Sequence, residues 1–169
     1  RCMRDFTFFD DAETVEIANA LSVNRNDEWS ILEQDFDGIP MVLVPGGCFL
    51  MGDTNPHEQC FDAPYWIDRY EVSRSQFLAF DGIAENIDTL SDDNFPMANL
   101  SWNEANTFCN SRNARLPTER EWEYAARGPD NLLFPMGNEI DYNLVVLQSP
   151  IVEVDYLREG QSWVGALHM

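Results

Sequence analysis

Four cysteines, two histidines and a tight group of glutamates are the residues of this 169-residue chain best equipped for chemistry. The cysteines are Cys2, Cys48, Cys60 and Cys109, and none forms a Cys-x-x-Cys pair, so zinc-ribbon and dithiol-redox readings lack a basis. Cys48 and Cys60 bracket a turn-rich stretch containing Gly52, Asp53, Asn55 and Pro56. Such a loop can bring two Cα atoms within disulfide reach. A bridge closing it would stabilise by roughly 3 kcal/mol in the chain-entropy account. The expected state is a Cys48–Cys60 disulfide, which implies an oxidising, extracytoplasmic compartment. Two free thiols in a reducing compartment are the alternative, and the state of Cys2 and Cys109 stays open.

Glu119, Glu121 and Glu123 place three carboxylates within five residues, a density that invites general acid–base chemistry. Their position at a helix start gives them a simpler task, complementing the helix dipole and pairing with Arg115 and Arg127. Capping and ion pairing are therefore the expected roles. His57 and His168 stand apart in sequence and read as ordinary loop or surface histidines.

These residues have to be positioned by a single domain's worth of chain. With 44% hydrophobic residues, 169 positions suffice for a real core. The formal net charge of -20 gives a surface that repels phosphate backbones and anionic headgroups, which excludes nucleic acid as an expected partner. No window approaches the length of a membrane span. The chain opens Arg1-Cys2-Met3-Arg4, without initiator Met or signal peptide, which points to a removed leader or anchor, or to a piece of something longer. Membrane association is expected only through a partner or such an anchor. At the other end, Trp163-Val164-Gly165-Ala166-Leu167-His168-Met169 reads as domain interior rather than a polar tail.

A short amphipathic helix is expected over residues 10–21 and a polar connector after it. Met41-Val42-Leu43-Val44 reads as a strand stopped by Pro45-Gly46-Gly47, and Cys48-Phe49-Leu50-Met51 as a second strand stopped at Gly52. Three helix starts carry a hydroxyl residue followed three positions later by Gln or Glu: Ser73…Gln76, Ser101…Glu104 and Thr118…Glu121. Behind them, Phe77 with Phe80, Ala105 with Phe108 and Cys109, and Trp122 with Ala125 and Ala126 supply apolar faces. The last helix should end at Arg127-Gly128-Pro129. The expected class is α+β with much irregular loop. The sequon Asn99-Leu100-Ser101 coincides with one of the caps, which makes it incidental.

Several stretches, in order, resemble one family. Met41 to Gly52 is similar to the opening strands of the formylglycine-generating enzymes, the sulfatase-modifying factors. Tyr65-Trp66-Ile67-Asp68-Arg69-Tyr70-Glu71-Val72-Ser73 resembles their strand-to-helix junction. Ser101-Trp102-Asn103-Glu104-Ala105 and the run from Arg115-Leu116-Pro117-Thr118 through Glu121-Trp122-Glu123-Tyr124 to Gly128 are the most specific pieces. Phe134-Pro135-Met136-Gly137-Asn138-Glu139 follows, with Met136 where Trp is usual. The resemblance implies a C-type-lectin-like fold over residues 29–169, with residues 1–28 as an N-terminal helix and connector. Trp122 and Tyr124 are expected to be core anchors.

The resemblance also implies a chemistry, oxidation of a substrate cysteine to formylglycine by molecular oxygen at a copper ion held by two thiolates. Soft thiolates suit Cu(I). In the family those cysteines follow a Gly-Asn-Val-Trp-Glu-Trp motif, which would begin beyond Met169. None of the four cysteines matches a catalytic position, and Cys109 matches one that often pairs with a downstream cysteine. Asn143 and the Leu144 carbonyl match the start of a calcium loop whose later part looks shortened, so they stand as a weak, degenerate calcium site. His168 stands where a second calcium site usually has Asp or Asn. The expectation is a non-catalytic extracytoplasmic module that needs no cofactor and meets a protein partner within a larger, bacterial assembly. The alternative is the N-terminal part of a copper- and oxygen-dependent oxidase.

Overall fold

The computed structural model describes residues 1–6, 22–85, 92–144, 152–156 and 158–169. The helix expected over residues 10–21 lies outside the described residues. Among the described residues, seven strands form two sheets. In the first, β1 (Met3–Asp5), β7 (Tyr65–Asp68), β4 (Ile39–Val44) and β3 (Glu33–Phe36) run in that order, antiparallel throughout. In the second, β2 (Ser22–Val23) pairs parallel with β5 (Gly46–Met51), which pairs antiparallel with β6 (His57–Phe61). The two strands expected around Pro45 both form, but they belong to different sheets, and Gly46 and Gly47 are part of the second strand. Met3–Asp5 and Ser22–Val23, both before residue 29, take places in these sheets.

Period-two patterning explains how the first sheet is buried on both faces. Val42, Val44, Tyr65 and Ile67 point to one side, where they meet Phe49 and Phe61 of the second sheet and Tyr124, Ala125, Val164 and Ala166. Met41, Leu43 and Trp66 point to the other and pack with Phe36. Burying a side chain the size of Phe49 or Ile67 stabilises by roughly 1.5–3 kcal/mol, so these two layers supply most of the drive to fold. A third cluster, around Phe77, Phe108 and Cys109, lies under the helices.

Three helices follow the sheets: α1 (Arg74–Ala79), α2 (Trp102–Ser111) and α3 (Glu119–Arg127). Each starts one residue after the hydroxyl residue marked in the sequence. Gln76 Oε1 accepts from the Ser73 N–H, and Glu104 Oε2 from the Ser101 N–H, while each serine hydroxyl accepts from the residue three ahead. Caps of this kind contribute about 1 kcal/mol apiece. α3 ends at Gly128, whose φ of 67° is the positive value its Gly permits. An added Cβ there would stand 2.2 Å from Asn26 Oδ1.

Candidate functional site

β7 delivers Asp68 to the centre of the most buried polar group in the molecule. Its carboxylate receives both prongs of the Arg112 guanidinium, at 3.0 and 2.9 Å, and accepts from the Cys2 N–H at 2.6 Å. The two side chains are 0% and 1% exposed. Arg112 follows directly on α2, its guanidinium lies 5.6 Å from the centre of the Phe108 ring, and its carbonyl accepts from Arg4 at 2.6 Å. Beside this pair Cys2 is bridged to Cys109 of α2, with Cα atoms 5.5 Å apart. The junction motif's Asp thus joins the first strand, β7 and α2, and holds no position from which to act on a substrate.

The resemblance pairs Cys109 with a downstream cysteine, but its partner is upstream, 107 residues away. An even cysteine count was the available signal, since a Cys48–Cys60 bridge leaves Cys2 and Cys109 for each other. Cys48 and Cys60 face one another directly across β5 and β6 and are also bridged. All four cysteines are therefore in disulfides.

The glutamate-rich motif is occupied by structural bonds. Arg115 grips Glu121 with two prongs, at 2.9 and 2.7 Å, and reaches Asp5 on β1. Glu121 also accepts from the Thr118 N–H and hydroxyl at 2.7 and 2.6 Å. Burial alone would raise the Glu121 carboxyl, but these donors outweigh it and hold the group at about 2. A carboxyl so low is a poor proton shuttle near neutrality. Glu123 accepts from the Gly52 N–H and pairs with Arg127. Tyr124 is fully buried against Phe49, Phe61 and Trp163, as expected of a core anchor. Trp122 is not: it is 41% exposed, because its position on α3 turns it away from the sheets.

A cavity of about 90 Å³ opens beside the Cys2–Cys109 bridge, lined by Val72, Phe77, Leu100, Phe108 and Leu116, with Glu71 supplying a carboxylate. Glu71 is held below the usual carboxylate range by His168, whose Nδ1 lies 3.7 Å away. His168 Nε2 is 2.7 Å from the Tyr156 carbonyl oxygen, and the Glu71 contact raises the imidazole above its ordinary value. His168 thereby ties the end of the chain to the start of α1's approach, whereas His57 sits exposed on β6. Arg1 also lines the cavity, so an arginine and a carboxylate share its wall with the apolar side chains, and its two cysteines are bridged to each other.

Among the described residues, neither implied metal finds a full set of ligands. A copper centre needs two thiolates, and both cysteine pairs are oxidised. In the calcium loop, the Asn143 amide N–H groups, backbone and side chain, both donate to Asp141 Oδ1 at 2.9 Å. The Leu144 carbonyl faces Gly160, where an added Cβ would stand 2.3 Å from it. Calcium takes six to eight oxygens, and among the described residues no group of three His, Cys, Asp or Glu side chains converges to hold a metal. No helix among them is long and apolar enough to cross a membrane.

Fold and site together define an α+β domain with sparse regular structure, braced by two disulfides, in which the chemistry-bearing residue types hold loops and helix ends. Residues 32–148 match the family model of the sulfatase-modifying factor enzyme 1-like domain. That span is more than half of the chain, and the chain belongs to this family. The formylglycine-generating enzyme of Mus musculus is 38% identical over 88 residues, covering 52% of this chain and 22% of that protein. The formylglycine-generating enzyme of Thermomonospora curvata is 29% identical over 160 residues, covering 59% and 53%. The inactive C-alpha-formylglycine-generating enzyme 2 of Bos taurus is 48% identical over 50 residues, covering 29% and 17%. Among solved structures, PvdO from Pseudomonas aeruginosa superposes with a TM-score of 0.51 at 21% identity, over 63% of this chain and 54% of that one. The fold is thus that of the formylglycine-generating-enzyme type. The chain spans between about a fifth and about half of the length of these proteins.

Proposed function

We propose that this chain is a non-catalytic structural or interaction module derived from a formylglycine-generating enzyme, working outside the cytoplasm within a larger assembly. The observation that carries the reading is the oxidation of all four cysteines into two bridges. Copper chemistry of the implied kind needs a thiolate pair, and these bridges leave none among Cys2, Cys48, Cys60 and Cys109. The same bridges favour an oxidising compartment. The glutamates and arginines of the Arg115–Gly128 stretch serve helix capping and ion pairing, which a module retains for folding. One matched relative is itself named inactive. For a protein partner, exposed Trp102, Trp122 and Tyr142 offer side chains of the type enriched at interfaces.

The second reading is the N-terminal part of a copper-dependent oxidase. The 53% coverage of the Thermomonospora curvata enzyme favours it, since nearly half of that protein has no counterpart in the aligned region. The full native protein, supplied with Cu(I), oxygen, a thiol reductant and a cysteine-containing peptide, separates the two. The module reading expects no aldehyde in the peptide by mass spectrometry, alongside an active relative as positive control. Conversion of cysteine to formylglycine would overturn it in favour of the oxidase.

A further inference from the structure

The chain has thirty acidic residues and ten arginines, and it contains no lysine. The fold turns most of those arginines inward or neutralises them. Arg4, Arg69, Arg74, Arg112, Arg115 and Arg127 each bind a carboxylate, with their own side chains buried or half-buried. Arg25 is exposed but gripped by Asp27, and Arg120 lies over the Phe61 ring. Carboxylates, by contrast, face solvent on every part of the fold: Asp5 on β1, Glu58 on β6, Glu119 on α3, Glu139 beyond it and Glu159 near the end. Among the described side chains the outer surface is predominantly anionic, with Arg25 and Arg120 as its exposed cationic groups.

The surface of 9586 Å² carries a net charge of -20, one uncompensated charge per about 480 Å², or a mean spacing of about 20 Å. That spacing is shorter than the Debye length of about 30 Å at 0.01 M salt and several times longer than the roughly 3 Å at 1 M. Repulsion among these charges opposes the compact state wherever it is unscreened. We propose that the folded chain relies on the mobile cations of a saline medium as its missing counter-charge, held as a diffuse cloud and not at a built site. The acids are spread over both sheets, the helices and the loops, which argues for general screening. The convergence a discrete ion needs is lacking among the described residues. The sequence carries the charge, but it takes the fold to show that seven of the ten arginines are already paired with carboxylates.

Thermal unfolding of the full chain from 0.01 to 1 M NaCl tests this. The expected result is a midpoint that climbs by about 5 °C or more, most of it below 0.3 M, equally in KCl. Four exposed carboxylates outside every described ion pair are replaced in E58K, D62K, E139K and E159K, which together move the net charge from -20 to about -12. This variant should show a clearly flatter salt response. Its neutral counterpart, E58Q with D62N, E139Q and E159Q, should flatten the response about half as much and guards against a lysine variant that fails to fold. A salt-independent or falling midpoint would overturn the proposal. So would an unchanged slope in the neutral variant, or full stabilisation by millimolar CaCl2 at constant ionic strength, which would mean a sited ion.

Discussion

Replacing Asp68 by Asn removes one negative charge from a place where water cannot compensate for it. The Arg112 side chain is 0% exposed, so its guanidinium would remain buried beside a neutral amide. Breaking a buried pair in this way costs about 3–5 kcal/mol. The amide oxygen can still accept from the Cys2 N–H, which places the expected loss near the lower figure, about 3 kcal/mol. Against a total of about 5–15 kcal/mol this is a large share. For a chain of this size it lowers the thermal midpoint by roughly 6–12 °C. Circular dichroism melts at neutral pH, with both disulfides intact, read the effect. Asp27→Asn, which breaks the exposed pair with Arg25, serves as control and should leave the midpoint nearly unchanged. Joint replacement by apolar residues, Asp68→Leu with Arg112→Met, should recover much of the loss, because no charge is then left buried. A D68N midpoint within about 2 °C of the parent, or a double variant as unstable as the two single changes summed, would refute the reasoning.

Further expectations come from other parts of the fold. Cys2→Ser opens a loop spanning 107 residues and should destabilise by about 4–5 kcal/mol, more than the roughly 3 kcal/mol for Cys60→Ser with its 12-residue loop; denaturant midpoints of the two variants give the order. Because the Glu121 carboxyl is depressed from 4.5 to about 2, its stabilisation is complete above its ordinary value and is lost as pH falls through about 2. Glu121→Gln should therefore lose about 3 kcal/mol at pH 7 and show a flatter acid limb between pH 4.5 and 2 in a pH series of melts. Gly47→Ala would place a Cβ 2.4 Å from the Tyr124 hydroxyl and 2.7 Å from the Val23 carbonyl, a destabilisation of about 2 kcal/mol or more. Tyr124→Phe, which deletes a buried hydroxyl without a hydrogen-bond partner, should be close to neutral alone and should partly rescue Gly47→Ala.

What could be read from the sequence was governed by distance along the chain. The caps at Ser73, Ser101 and Thr118 were legible because donor and acceptor lie three residues apart, so local text contains the whole interaction. The Cys48–Cys60 bridge was legible for the same reason, with a turn between its ends. The Cys2–Cys109 bridge and the Asp68–Arg112 pair join residues 107 and 44 positions apart, and only the packed sheet and helix bring them together. Strand assignment shows a similar limit: Met41-Val42-Leu43-Val44 announces a strand, but not that its successor leaves for another sheet. Trp122 and Tyr124 look alike in the motif, yet two positions on a helix differ by about 200° in direction, which buries one and exposes the other. The Asn143 and Leu144 expectation rested on resemblance, and no spacing rule could supply the ligands a calcium shell needs.

The account turns on Cys2, Cys48, Cys60 and Cys109 offering no usable thiol pair. Native protein isolated from its own cells, denatured and alkylated before any reduction, tests this directly by intact mass and peptide mapping. The account predicts no alkylated cysteine, with the Cys2–Cys109 and Cys48–Cys60 peptides each recovered as linked pairs. Two alkylated cysteines in the native protein, protected from the reagent by Cu(I), would contradict it and identify a catalytic oxidase instead.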